Sequence, residues 1–234
     1  MALPKLNDKP KYEVVIPSTQ KTVRYRPFLV KEQKVLMLAM ESQDQKQILS
    51  SITDTISSCV EEDISVNKLT TFDVEYIFTQ IRAKSVGETA TVGIDCEKCE
   101  HNNEVVIKID EIKIDVPQKI KKIKLNDKYS VTMRYPSYQF MLQDDVINGS
   151  SVEQLYSAVR MCLDYLETDE ERINFDEETK EEVEQFLDQL DTNQFNEIME
   201  FVNSLPKLTH DVNFKCESCG SDNKIVLEGI KDFF

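Results

Sequence analysis

The chain has 234 residues, 40% of them hydrophobic, and a formal net charge of −15. It is long enough to bury a core in one or two domains and too poor in Gly (5) and Pro (7) to be fibrous or low-complexity. No run approaches the roughly 18–20 apolar residues that span a bilayer, and no secretory signal is read at the start. A cytosolic setting is expected, in which six cysteines favour metal or buried thiols over disulfides.

Residues 1–10 read as a loose arm. Residues 12–16 and 22–25 flank a polar tip as a short hairpin that Pro27 closes. Helical spacing follows over 31–41 (Val35, Leu36, Leu38, Ala39) and 45–60 (Ile48, Leu49, Ile52, Ile56, Cys59). Cys59 falls on the apolar face, as a small core residue would. A third helix opens at Thr71, buries Val74, Ile77, Phe78 and Ile81, and ends at Gly87. Past the first C-x-x-C, residues 119–124 and 129–133 alternate around Asn126-Asp127 as another hairpin. Its outward face carries Lys119, Lys121, Lys122, Lys124 and Lys128, either a lysine-guarded edge or a nucleic-acid surface. Residues 138–146, 151–166, 177–190 and 192–202 show helical spacing, with caps expected from Ser151 with Gln154 and from Asp176 with Thr179. Pro206 stops the last helix; a second C-x-x-C and a short tail at 229–234 finish the chain. Residues 144–200 hold 18 Asp/Glu against Arg160, Arg172 and Lys180, so this one segment carries the whole charge imbalance. Such a face is either solvated helix surface or a dock for basic protein partners.

The cysteine pairs organise the rest. Cys96-Glu97-Lys98-Cys99 and Cys216-Glu217-Ser218-Cys219 each form the tip between two alternating apolar runs, the pattern of a β-hairpin knuckle. Neither has a second C-x-x-C nearby, so each offers two thiolates, and pairing across the 116 intervening residues completes a tetrahedral structural Zn2+ site. Such a site contributes about 10 kcal/mol or more of apparent folding energy. Free or redox thiols are the competing reading. His101 and His210 lie near the pairs, as substitute ligands, thiolate partners or ordinary loop residues.

The two halves also run in parallel order. Val23 to Phe28 is like Val131 to Pro136, each a strand ending in a proline before a helix. A later helix carries one cysteine, Cys59 or Cys162. Then Phe72-Asp73-Val74-Glu75-Tyr76-Ile77-Phe78 and Phe195-Asn196-Glu197-Ile198-Met199-Glu200-Phe201 lead into the cysteine hairpins, 24 and 21 residues on. Two readings stand, an internal duplication and the chance likeness of amphipathic segments. The expected fold class is α+β: mainly helical with β-hairpins, and a split zinc-ribbon-like site made by the two knuckles. The expected units are an N-terminal repeat at 1–116 and a C-terminal repeat at 117–234, packed as one.

Catalytic material is scarce. There is no G-x-S-x-G, Walker loop, dinucleotide fingerprint or H-E-x-x-H, and no carboxylate pair stands apart from the acidic helical runs. The C-x-x-C pairs do not open a helix after a strand, as a thioredoxin-type motif does. No catalytic residue and no enzymatic activity are therefore expected.

Two blocks carry a resemblance. One is Arg26-Pro27-Phe28-Leu29-Val30-Lys31-Glu32-Gln33-Lys34-Val35-Leu36-Met37. The other is Phe72 to Phe78 continuing through Ile81-Arg82-Ala83-Lys84-Ser85-Val86-Gly87-Glu88. With the Cys96/Cys99 knuckle they resemble the T-even-type bacteriophage baseplate hub subunit family, most closely over residues 20–115. The resemblance implies a virion hub protein assembled in the host cytoplasm, non-enzymatic, with other hub and tail proteins as partners. A transient assembly chaperone, a zinc-ribbon nucleic-acid binder and a thiol oxidoreductase are the alternatives. The net charge argues against nucleic acid.

Overall fold

A computed structural model describes residues 9–114, 116 and 121–229. All but residues 9 and 10 of the arm expected at 1–10, Lys119 at the start of the basic strand, and all but Gly229 of the tail expected at 229–234 lie outside the described residues. The fold is α+β, and the chain forms two compact units. One takes residues up to Val66, Phe72–Val116 and Lys207 onward; the other takes Asn67–Thr71 and Pro117–Pro206. The chain leaves the first unit after Val116 and rejoins it at Lys207. The second cysteine hairpin thus belongs to the first unit.

The first unit opens with the hairpin β1 (Tyr12–Val15) and β2 (Thr22–Tyr25), paired Tyr12 to Tyr25. Helices α1 (Val30–Ser42), α2 (Gln45–Cys59) and α3 (Thr71–Val86) follow. Asp44 caps α2 by accepting from the Lys46 and Gln47 N–H groups. The α3 stripe buries as its spacing predicts, with Phe72, Val74, Ile77, Phe78 and Ile81 all inside. Asp73 is buried beside them. Its carboxylate accepts from the Ser18 N–H at 2.9 Å and the Ser18 hydroxyl at 2.5 Å, tying the hairpin tip to α3. Next come β3 (Thr89–Asp95), its antiparallel partner β4 (Asn102–Lys108) and the short β5 (Lys113–Ile114).

The second unit is built on an antiparallel sheet in the order β6-β7-β8-β9, from β6 (Lys122–Lys124), β7 (Ser130–Met133), β8 (Leu163–Glu167) and β9 (Arg172–Asn174). Its helices are α4 (Asp144–Ile147), α5 (Ser151–Cys162), α6 (Lys180–Leu187) and α7 (Thr192–Asn203). Ile123, Val131, Met133, Val159, Leu163 and Ile198 are each 0–1% exposed at its core. The chain then returns to the first unit as β10 (Leu208–Lys215) and β11 (Asp222–Glu228). β5 pairs antiparallel with β10, Ile114 opposite Leu208.

The second unit departs from sequence expectation in three places. The helix expected over 138–146 is a 3-10 turn, Tyr138–Leu142, followed by the four-residue α4, because Tyr138 and Phe140 both bury and its N–H is taken by the Leu69 carbonyl at 2.7 Å. The helix expected over 151–166 ends at Cys162. Leu163 and Leu166 continue the helical spacing, but β7 claims the segment as a strand, with Val131 opposite Leu166 and Thr132 opposite Tyr165. Tertiary pairing here overrides local period. The helix expected over 177–190 runs Lys180–Leu187. Both caps also shift: Ser150 with Glu153 and Thr179 with Glu182 form the capping boxes.

Candidate metal centre

The two cysteine hairpins are built alike, residue for residue. Every position in the second lies 120 after its counterpart: Cys96 and Cys216, Cys99 and Cys219, Asn103 and Asn223. In each, the first cysteine's N–H donates to the carbonyl five residues on, Cys96 to His101 and Cys216 to Ser221, both at 2.9 Å. The residue after the second cysteine donates back to the first cysteine's carbonyl, Glu100 at 2.8 Å and Gly220 at 2.9 Å. That residue is left-handed in both knuckles, φ 57° at Glu100 and 68° at Gly220.

The tips bring together the four cysteines expected to bind one metal. Their Sγ atoms all lie within 4.8 Å of one another. Cys96 Sγ is 3.7 Å from Cys219 Sγ, and Cys99 Sγ is 3.6 Å from Cys216 Sγ. A tetrahedral zinc with bonds of about 2.3 Å separates its sulfurs by about 3.8 Å, so this spacing fits one ion. It is far beyond the roughly 2.05 Å of a disulfide, and all six cysteines are free. Cys96 and Cys216 are buried while Cys99 and Cys219 are exposed, so the cage has an inner and an outer side.

The surroundings favour thiolate at two of the four, Cys96 and Cys219. The Ser221 hydroxyl lies 3.3 Å from Cys96 Sγ and 3.0 Å from Cys219 Sγ. That hydroxyl, helped by the Lys98 and Cys99 N–H groups, holds the Cys96 thiol down to about 5. The same hydroxyl and the Ser221 N–H lower Cys219. At Cys99 the His101 N–H pulls downward, but the neighbouring sulfurs, Cys219 foremost, outweigh it and raise the thiol to about 12. An ion entering the cage would displace the thiol protons that remain.

Among the described residues the metal-ligating group contains no histidine. His101 contributes backbone only, at the position Ser221 fills in the other knuckle. His210 sits in β10 opposite Leu227. Cys59 and Cys162 are core residues at the ends of α2 and α5, and burial pushes their thiols up to about 11 and about 12.

Three further residues matter here that cysteine spacing did not reveal: Ser221, Asn103 and Asn223. Asn103 and Asn223 are 2% and 5% exposed. Each stands seven residues after its knuckle's first cysteine, at an inward strand position, where asparagine is disfavoured. That coincidence is the signal sequence offers for them.

The expected basic strand is largely neutralised within its own unit. Lys122 pairs with Glu167, Lys124 with Asp127 at 2.7 Å, and Lys121 reaches Glu200 at 3.5 Å and the Glu197 carbonyl at 3.2 Å. No helix among the described residues is long and apolar enough to cross a membrane.

Comparison with known proteins adds one finding. The protein family described as T4 bacteriophage base plate protein matches residues 9–234, nearly the whole chain and well beyond the two blocks that suggested it. No curated protein and no solved structure matches.

Proposed function

Because the chain belongs to the T4 bacteriophage base plate protein family, we propose that it is a non-enzymatic structural component of the baseplate hub, working through contacts with other hub and tail proteins. Its metal is a single structural Zn2+ bound by Cys96, Cys99, Cys216 and Cys219. The convergence of four sulfurs at tetrahedral spacing from knuckles 120 residues apart carries the metal assignment. The zinc fastens two hairpins of the first unit and performs no chemistry on a substrate: four protein ligands leave no open position for a water or a substrate.

Repeated hydrogen bonds support an internal duplication. The Arg26 N–H donates to the Cys59 carbonyl at 3.0 Å, and the Arg134 N–H donates to the Cys162 carbonyl at 2.7 Å. Each guanidinium also donates to the carbonyl one residue earlier, Ser58 at 2.8 Å and Met161 at 3.2 Å. Partner contacts fall to the segment 144–200, whose acidic excess suits basic protein surfaces and opposes nucleic acid. The ion pairs along β6 argue in the same direction.

The experiment pairs metal analysis of purified protein with mass spectrometry of purified virions and infected lysate. One zinc per chain, abolished by changing either cysteine pair to serine, together with the chain in particles, is the expected result. Absence of zinc overturns the metal assignment. A chain present in lysate but missing from virions overturns the hub assignment in favour of a transient assembly factor.

A further inference from the structure

Each knuckle is held to the other by a buried amide. The Asn103 Oδ1 accepts from the Glu217 N–H at 2.9 Å, and the Asn223 Oδ1 accepts from the Glu97 N–H at 3.1 Å. The other end of each amide turns back to its own knuckle. The Asn103 Nδ2 donates to the His101 carbonyl at 2.8 Å and the Ile94 carbonyl at 3.3 Å; the Asn223 Nδ2 donates to the Ser221 carbonyl at 3.0 Å. Those two carbonyls, His101 and Ser221, already receive the N–H groups of Cys96 and Cys216. Two parallel relays therefore run between the inner cysteines. One passes from the Cys96 N–H through the His101 carbonyl and Asn103 to the N–H beside Cys216. The other is its mirror through Ser221 and Asn223.

We propose that Asn103 and Asn223 are positioning residues that brace the two knuckles across a local pseudo-two-fold and set the sulfur spacing, so that the cage is shaped by hydrogen bonds between these side-chain amides and the backbone rather than by the ion. The function of the brace rests on the zinc assignment above. The relays use no sulfur atom, so their hydrogen bonds stand whether or not the thiolates are neutralised. The cage needs such a constraint, because it holds four sulfurs from two separate hairpins within 4.8 Å of one another. Asparagine suits the position because one planar amide supplies an acceptor for the far N–H and a donor for the near carbonyl. Aspartate keeps the acceptor and loses the donor; leucine keeps the shape and loses both. At a site this buried, a lost partner leaves backbone groups unpaired rather than hydrated.

The test uses the full-length protein and two measurements. Zinc affinity, read by chelator competition, is expected to fall about 10- to 100-fold in Asn103→Ala and by a similar factor in Asn223→Ala. Amide hydrogen exchange on zinc-stripped protein supplies the second reading, and its pattern is crosswise. Glu97 and Glu217 are protected in the unmodified chain, Asn223→Ala releases Glu97 while sparing Glu217, and Asn103→Ala does the reverse. Should the alanine variants not fold, Asn103→Asp is expected to keep Glu217 protected while weakening zinc. Unchanged affinity, fast exchange at both amides before any substitution, or protection lost on the altered residue's own knuckle would each overturn the brace. If the unmodified chain takes no zinc, the metal assignment fails, and the crosswise pattern still decides whether the asparagines couple the knuckles.

Discussion

Arg26 in the first unit and Arg134 in the second make the same latch with different counter-ions. Both follow a strand, both give their N–H to the carbonyl of a helix-ending cysteine, and both reach one carbonyl further back along that helix. Arg26 then pairs with Glu32, six residues on and 6% exposed, and the Glu32 carboxylate also accepts the Leu29 N–H at the start of α1. Arg134 pairs instead with Asp176, whose side chain is 60% exposed. The chain beyond the cysteine differs as well. Val60 makes only an isolated bridge to Tyr25, whereas Leu163 opens a full strand against β7. The backbone latch is thus the recurring element, and each unit has recruited its anion from whatever segment lies nearby.

That contrast can be broken in order of effect. Changing Cys96 and Cys99 to serine should act hardest, removing about 10 kcal/mol or more of metal-dependent folding energy. A transition of the first unit that moves to much lower temperature but stays cooperative, with the second unit's transition unchanged, is the expected calorimetric signature. Glu32→Ala comes next at about 2–4 kcal/mol, since it strands a partly buried guanidinium and an uncapped helix. Asp176→Ala should cost less than about 1 kcal/mol, its pair being solvent-screened. Both carboxyls sit below their usual range. For Glu32, burial opposes the shift and the Arg26 hydrogen bond with the Leu29 N–H outweighs it; for Asp176, the Arg134 hydrogen bond is the leading cause. Their contributions are therefore present at neutral pH and lost as pH falls through the folded-state values, which lie under the ordinary carboxylate range. Denaturant titrations at successively lower pH should show the effect of both substitutions shrinking.

The knuckles allow a finer comparison. The left-handed position is glycine at Gly220 but glutamate at Glu100, and a side chain there costs about 1–2 kcal/mol. Glu100→Gly should therefore stabilise and Gly220→Ala destabilise, each by about 1 kcal/mol in chemical denaturation. Equal stability in either variant would mean that the two tips do not share one backbone design.

Much of this was legible from residue order because the signals are local. The alternation around Cys96 and Cys216 marks four strands correctly, and the spacing of Val74, Ile77 and Ile81 marks the buried stripe of α3. What stayed hidden depends on distant pairing. Leu163 and Leu166 look helical until Val131 and Thr132 supply a strand partner, and Asn103 and Asn223 look like ordinary polar residues until the opposite knuckle supplies the N–H. The allocation of the second knuckle to the first unit is of the same kind, for its contacts are with the first knuckle and with two residues of β5, all far off in the chain.

That small contact alters the chain statistics of the cage. Between Cys99 and Cys216 lie 116 residues, a costly loop for any cross-link to close. With Ile114 hydrogen-bonded beside Leu208, the excursion through the second unit is pinched at its neck. The knuckles then face an effective loop of roughly 20 residues, and the closure entropy left for the thiolates and their ion drops by roughly 1.5 kcal/mol. Length added to the second unit between Ile114 and Leu208 falls outside that shortened loop, so the cage tolerates growth there at almost no entropic cost.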